Sequence, residues 1–285
     1  MDRKLLLTEF TRRESVKLST IIKAICVGGT MMVPGVSGGS MAMLLGIYDK
    51  LISAVSNFTK DIKGNLKFLG TFCVGGLLGI LLFSKPILFM LEQYPMVTLY
   101  FFMGAIAGGI PMIYKQAGVK KLSVKTAIYP IIGIIGVVLL ELIMAPMAAA
   151  GALGGNSSFI ILLLAGIGAA VALVLPGISV SYVLLIFGLY DRAIRALHSL
   201  SFSFLIPFGG GVLLGVILTT KGLEQLMERY PQPVYLVIGG FILGSIGEVF
   251  PGLPTSAGEG VLCVIMAVLG AAAIIFLSSY SSQKE

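Results

Sequence analysis

Charge is scarce in this chain. Asp, Glu, Lys and Arg make up 12% of its 285 residues, against ~25% in soluble domains. That shortage excludes an ordinary soluble globular domain. Histidine is scarcer still: His198 stands alone. The three cysteines, Cys26, Cys73 and Cys263, lie far apart, each inside an apolar segment. Their odd number and wide spacing exclude a metal-ligand cluster and a disulfide framework. They read as small buried hydrophobes. Phosphate-loop and dinucleotide fingerprints are missing as well. An enzyme would need a nucleophile with an acid–base pair, or metal ligands. Neither is found, so the chain reads as a non-enzyme with no cofactor and no metal.

What is present is apolar. Hydrophobic residues make up 57% of the chain, with runs such as "GTFCVGGLLGILLF" and "IYPIIGIIGVVLLELIMAPMAAA". Such runs mark a polytopic membrane protein. The formal net charge of +7 does not point to nucleic acid, because the basic residues sit in short loops between apolar segments. There they set orientation in a bilayer. The N-terminal stretch does not read as a cleavable signal peptide, since basic residues continue to Lys23 without a short apolar core and cleavage site. "RKLLLTEFTRRESVKL" reads either as an interfacial helix or as a solvated basic tail.

The chain repeats itself. "VPGVSGGSMAMLLGIYDKLISAV" (33–55) aligns with "LPGISVSYVLLIFGLYDRAIRAL" (175–197) at an offset of 142 residues. "GGLLGILLFSKPILFMLEQYP" (75–95) aligns with "GVLLGVILTTKGLEQLMERYP" (211–231) at an offset of 136. Each half reads as a broken pair of arms followed by three spans. In the first half these are 21–33 with 38–49, then 68–84, 97–114 and 126–148. In the second they are 159–175 with 179–190, then 204–220, 233–248 and 260–278. With both termini inside, 17 of the 20 Lys and Arg fall on the cytoplasmic side and 3 outside, a strong positive-inside bias. A broken pair enters and leaves on one side, so each half makes an odd number of crossings and the halves are inverted.

The expected fold is therefore an all-α polytopic membrane protein of two inverted-topology repeats. Each repeat is a broken or re-entrant helical hairpin followed by three transmembrane helices. Residues 1–20 form a cytoplasmic basic segment. Repeat 1 covers 21–150 with its hairpin at 21–49, and repeat 2 covers 151–285 with its hairpin at 159–190. Whether the second hairpin turns back or spans is left open.

The breaks carry the chemistry. Arms of a dozen residues reach about 18–20 Å, past the middle of a core ~30 Å thick but not comfortably across it. Pro34 has no amide hydrogen and disfavours helix at Val33. Gly35, Gly38 and Gly39 allow a tight reversal. Unpaired peptide groups cost several kcal/mol each in lipid, so such a tip belongs beside a polar cavity or packed in protein. The helix starting near Gly38 aims free amides at that place, and Ser37 and Ser40 add hydroxyls. A helix start of this kind suits a phosphate or carboxylate. Pro176, Gly177, Ser179 and Ser181 form the counterpart in the second half.

Tyr48 and Tyr190 fit interfacial anchors. Lys50, Arg192 and Arg195 are candidates for an anionic headgroup, and equally fit solvated charges at arm ends. Glu141 is the one carboxylate deep in a span. Intramembrane acids are functional by default, so Glu141 is a candidate for coupling.

"VPGVSGGSMAMLLGIYDKLI" resembles the signature of a bacterial membrane family once catalogued only as a domain of unknown function and now regarded as polyprenyl-phosphate transporters. The resemblance covers essentially the whole chain, its length and its duplication. It rests on Pro34, Gly35, Ser37, Gly38, Gly39, Ser40, Gly46 and Tyr48 and their repeat partners. The second copy departs, with Val180 and Ser181 where the first has Gly38 and Gly39. The two sites therefore need not be equivalent. The resemblance implies a flippase that returns undecaprenyl phosphate across the bacterial cytoplasmic membrane to recycle the envelope lipid carrier. The residues alone indicate only an anion, and leave open a channel or carrier for a small anion or a membrane lipid phosphatase. The partners implied are a polyprenyl phosphate and membrane lipids, with no nucleic acid. A coupling proton or sodium ion and the oligomeric state stay open.

Overall fold

Serine, aspartate and proline open the helices of this chain. The structure is a computed structural model that describes residues 18–31, 33, 35–121, 123–150 and 158–282. The basic segment 1–17 and Pro34 lie outside the described residues. Every regular element among the described residues is helical. In order these are α1 (Leu18–Thr30), α2 (Gly38–Leu44), α3 (Tyr48–Ser56), α4 (Ile62–Gln93), α5 (Pro95–Gln116), α6 (Val124–Ala150) and α7 (Phe159–Val174). Then come α8 (Val180–Ile186), α9 (Tyr190–Ser199), α10 (Phe202–Arg229), α11 (Pro231–Gly244), α12 (Ile246–Val249) and α13 (Ala257–Ser282).

Local chemistry fixes their ends. Asp61 accepts the Gly64 amide at 3.0 Å and opens α4. Ser256 accepts the Glu259 amide at 3.2 Å, while the Glu259 carboxylate accepts the Thr255 amide at 2.7 Å, a reciprocal cap at the start of α13. Tyr94-Pro95 and Tyr230-Pro231 separate α4 from α5 and α10 from α11, each proline sitting where a missing amide costs nothing. Among the described residues five helical stretches are long and apolar enough to cross a membrane: Ile62–Gln93, Pro95–Gln116, Phe202–Arg229, Pro231–Val249 and Ala257–Ser279. The chain is a polytopic membrane protein.

Two compact units form. One holds the described residues up to Ala54, with Phe58–Gln116 and Ile246 onward; the other holds Val55–Asn57 and Ala117–Ser245. Within the first, α4 lies on α1 through glycines. A Cβ on Gly79 would overlap the Ile25 carbonyl, and one on Gly75 would crowd Ala24 and Ile21. Within the second, α10 lies on α7 in the same way. Gly211 meets Leu163 and Gly166, and Gly215 meets Ile167 and Ala170. The "GGLLG" stretch is thus a close-packing face, as membrane helices use small residues. Matched positions make matched contacts, at the offsets found in the sequence.

The last long helix of each half of the sequence packs on a helix of the other half. α6 packs on α11, and α13 packs on α5. Gly104 of α5 is pressed against the Ala267 carbonyl, and Gly270 against the Phe101 carbonyl. In the other unit Gly240 meets the Pro130 carbonyl, and Gly133 the Val237 carbonyl. Gly133 and Gly270 therefore correspond, at an offset of 137 residues that the sequence comparison did not reveal.

Cysteine burial differs from expectation in part. Cys263 is buried and Cys26 half-buried, but Cys73 lies exposed on α4, whose outer face also exposes Leu77 and Leu81.

Candidate functional site

Both tips turn at the glycine after the proline. Gly35 has φ +78° and Gly177 has φ +83°, a left-handed backbone that glycine adopts without strain. Pro176 and Gly177 are buried, and Gly35 is half-buried.

The first tip ends in a capped helix start. Ser37 is the N-cap of α2, and its Oγ accepts the Ser40 amide at 3.0 Å. The two hydroxyls also pair, with Oγ atoms 2.8 Å apart. Ser40 is 2% exposed, whereas Ser37, Gly38 and Gly39 are half-buried. The amides of Gly38 and Gly39 belong to the first turn, where a helix offers no acceptor of its own. A Cβ on Gly38 would stand 2.9 Å from Met31 Cε, the end of a flexible, exposed side chain.

The second tip is plainer. Ser179 is the N-cap of α8 but makes no side-chain cap bond. Ser181 is exposed on the first turn. A Cβ on Gly177 would stand 2.6 Å from the Phe241 carbonyl oxygen.

The second arms are not the unbroken helices expected over 38–49 and 179–190. α2 and α8 have 7 residues each, about 10 Å of helix, and both stop at a glycine. Gly46 has φ +65° and Gly188 φ +63°. Ile47 N–H donates to the Ala42 carbonyl at 3.0 Å and Gly46 N–H to the Met43 carbonyl at 3.0 Å. Leu189 and Gly188 repeat the pattern on Leu184 and Leu185 at 2.8 and 2.9 Å. This double bond with a left-handed glycine is a Schellman stop, completed by burial of Ile47 and Leu189. The repeated G-[IL]-Y-D-[KR] is thus a helix stop followed by a new helix with Asp49 or Asp191 in its first turn. Tyr48 is 3% exposed, a packed residue where an interfacial anchor was expected. Tyr190 is exposed.

The headgroup candidates lie on α3 and α9, just after the two glycine stops. Lys50 stands over the Phe68 ring, 4.8 Å from its centroid. Arg192 and Arg195 are exposed on α9, whose inner face, Ala193 and Ala196, packs with Phe204. Glu141 lies in α6; its side chain is outside the described residues.

Sequence reading missed two carboxylates. Glu248 of α12 packs on the first tip: a Cβ on Gly35 would stand 3.1 Å from Glu248 Cβ and 2.9 Å from Val249 Cγ2. Glu224 of α10 accepts from the Asn57 amide nitrogen at 2.6 and 2.8 Å and from the Ser56 hydroxyl. Both acids lie near span ends, where sequence alone makes them solvated charges.

Among the described residues no group of His, Cys, Asp and Glu is arranged to hold a metal. The site's donors are backbone amides and serine hydroxyls, which suit an oxyanion.

A family model of undecaprenyl phosphate translocase-like proteins matches residues 27–259. The chain belongs to this family. It is similar to a polyprenyl-phosphate transporter of Staphylococcus aureus, with 31% identity over 95% of this chain and 100% of that protein. It is similar also to a polyprenyl-phosphate transporter of Vibrio cholerae, with 29% identity over 82% of this chain and 78% of the other. No solved structure matches. This undecaprenyl phosphate translocase-like protein is a multi-pass protein of the bacterial cell membrane.

Proposed function

We propose that this chain is a flippase for a polyprenyl phosphate such as undecaprenyl phosphate, moving it across the cytoplasmic membrane to recycle the lipid carrier of the cell envelope. The phosphate binds at the broken-helix tips, on the amides of Gly38 and Gly39 with Ser37 and Ser40 beside them. The second tip, at Pro176, Gly177, Ser179 and Ser181, serves the other leaflet. The two repeats are inverted and alternate in access. Lys50, Arg192 and Arg195 meet headgroups at the hairpin bases, and Glu141 carries the coupling proton.

The observation that carries the reading is the recurrence of one turn. A left-handed glycine followed by a serine N-cap stands at matched positions, in a chain whose relatives are named polyprenyl-phosphate transporters. Two contacts support the assigned sides. Ser56 and Asn57 hold Glu224, and the basic-residue count puts both segments inside. Tyr100 donates its hydroxyl to the Gly252 carbonyl at 3.2 Å, and the count puts both of these segments outside.

The test is leaflet exchange in liposomes holding the purified chain, comparing polyprenyl phosphate with the pyrophosphate and the free alcohol. Exchange of the monophosphate above both others is expected. Ion flux without any lipid substrate would instead indicate a channel, and release of inorganic phosphate a phosphatase. The sides are checked separately: a cysteine at Ser201 should label from outside the cell, and one at Asn65 or Gln116 only after permeabilisation.

A further inference from the structure

Beside the first tip, inside the first compact unit, lies a cavity of about 320 Å³ between α1, α2, α4, α5 and α13. Its volume is in the range of small-molecule sites, ~300–1,000 Å³. Met41, Phe83, Met90, Phe102, Ala105 and Ile274 are among its walls. Two threonines also face it, but their hydroxyls are spent on their own helices. Thr30 donates to the Val27 carbonyl at 2.9 Å, and Thr98 to the Tyr94 carbonyl at 2.8 Å. A water needs two to four polar partners, and these walls offer none. The cavity therefore takes an apolar guest.

Its position says which part of a molecule that guest is. Met41 follows Ser40 directly on α2, so the cavity begins one residue beyond the capped tip. Phe83 and Met90 are 43% and 37% exposed, so the α4 wall reaches the outside of the unit and a long chain could leave there. Methionines at 41, 90 and 266 give walls that adapt to an irregular, branched chain. The matching place in the other half of the chain carries a larger side chain. Phe241 stands where the first repeat has Ala105, and its ring packs on Gly136, with Cε1 3.1 Å from where a Cβ would be.

We infer that this cavity binds the phosphate-proximal isoprene units of the lipid while the phosphate sits at the first tip. This rests on the proposed function and deepens it: substrate affinity depends on the branched chain as well as the phosphate, at one tip and not the other.

The test measures binding to the full chain in nanodiscs, using methyl phosphate, a long polyprenyl phosphate and an unbranched alkyl phosphate of the same carbon number as the polyprenyl compound. Wild type should bind the long polyprenyl phosphate roughly tenfold or more tighter than methyl phosphate, and tighter than the alkyl phosphate. Ala105→Phe should erase that gain and leave methyl phosphate binding, which uses the tip alone, unchanged. Ala273→Leu, on the α13 wall, should reduce it, and it carries the test if Ala105→Phe does not fold. Folded filling variants that keep the full chain-length preference overturn the tail site and leave the phosphate site standing. Equal binding of the alkyl phosphate overturns the isoprenoid assignment. Wild type that binds no polyprenyl phosphate of any length overturns the transport reading itself.

Discussion

The two tips share a turn and differ in what surrounds it. At the first, Gly35 touches side-chain atoms of Val249 and Glu248, the serines cap and pair, and two glycines open the helix. At the second, Gly177 lies against main chain at Phe241, Ser179 makes no cap bond, and Val180 and Ser181 take the glycine positions. A duplicated backbone turn has kept its conformation while its surface diverged. On the proposed function the first tip is the one that admits the anion, while at the second a Cβ on Gly177 would press on the Phe241 carbonyl. Substitutions at matched positions should therefore have unequal effects.

The largest difference is expected at the turns themselves. Gly177→Ala forces a side chain into a left-handed backbone and against a carbonyl, and each strained position alone costs about 1–3 kcal/mol. Gly35→Ala meets the same backbone strain, but its nearest approach is 2.9 Å, to Val249 Cγ2, against 2.6 Å to a carbonyl oxygen at Gly177. Thermal melts in detergent should show Gly177→Ala the less stable of the two, with transport lost in both. Equal melting temperatures would mean the contact at Phe241 is unimportant.

Next come the residues that open the first helix. Gly38→Val should leave the protein folded, because Met31 can swing aside, yet abolish polyprenyl-phosphate binding. Normal binding by well-folded Gly38→Val protein would remove the phosphate from this tip. In the other copy, Val180→Gly should not weaken binding.

Smaller effects separate the serines. Ser37→Ala removes a cap worth roughly 1 kcal/mol and a hydrogen bond to a charged group, so affinity should fall about tenfold. Ser179→Ala should leave stability unchanged, since no cap bond is lost there, and slow only the step on its own side. Side-resolved exchange assays with both variants measure this contrast. Equal loss of stability would show that the two caps are alike.

The smallest expected effect concerns Glu248. A carboxylate near the first tip opposes an anion bound there by through-space repulsion that solvent and ions partly screen. Glu248→Gln should then raise phosphate affinity several-fold, read by titration at neutral pH. Lowered affinity would assign Glu248 to holding the tip together.

Much of this comparison is legible in the sequence. The first arms, expected at 21–33 and 159–175, are helices over 18–30 and 159–174, because Pro34, Pro176 and the glycines after them leave little choice of where to stop. The break at Gly46 and Gly188 lies inside a repeated stretch whose letters alone do not mark a helix stop. A run of seven helical residues is too short to declare its period, and a Schellman stop is recognised by its hydrogen bonds more than by its letters. The kinship of α6 and α13 was invisible because most of their residues are interchangeable apolar ones. Gly133 and Gly270, each pressed on a neighbouring helix's backbone, are a matched pair held by close packing. Glu248 was hidden for another reason: its neighbour Gly35 is more than two hundred residues away in the chain.

The last helix of each half, packed on the other half, bears on ancestry and assembly. One repeat alone lacks the helix that covers its own middle span, so Gly104 and Gly108, or Gly240, would be left without their close-packed partner. A protein of half this length would complete either unit only by lending its last helix to a second copy, as swapped dimers do. Fusion of two such copies turns that loan into an internal contact at high effective concentration. The two halves of this chain, cut within 151–157, should accordingly assemble when produced together and fail when produced singly.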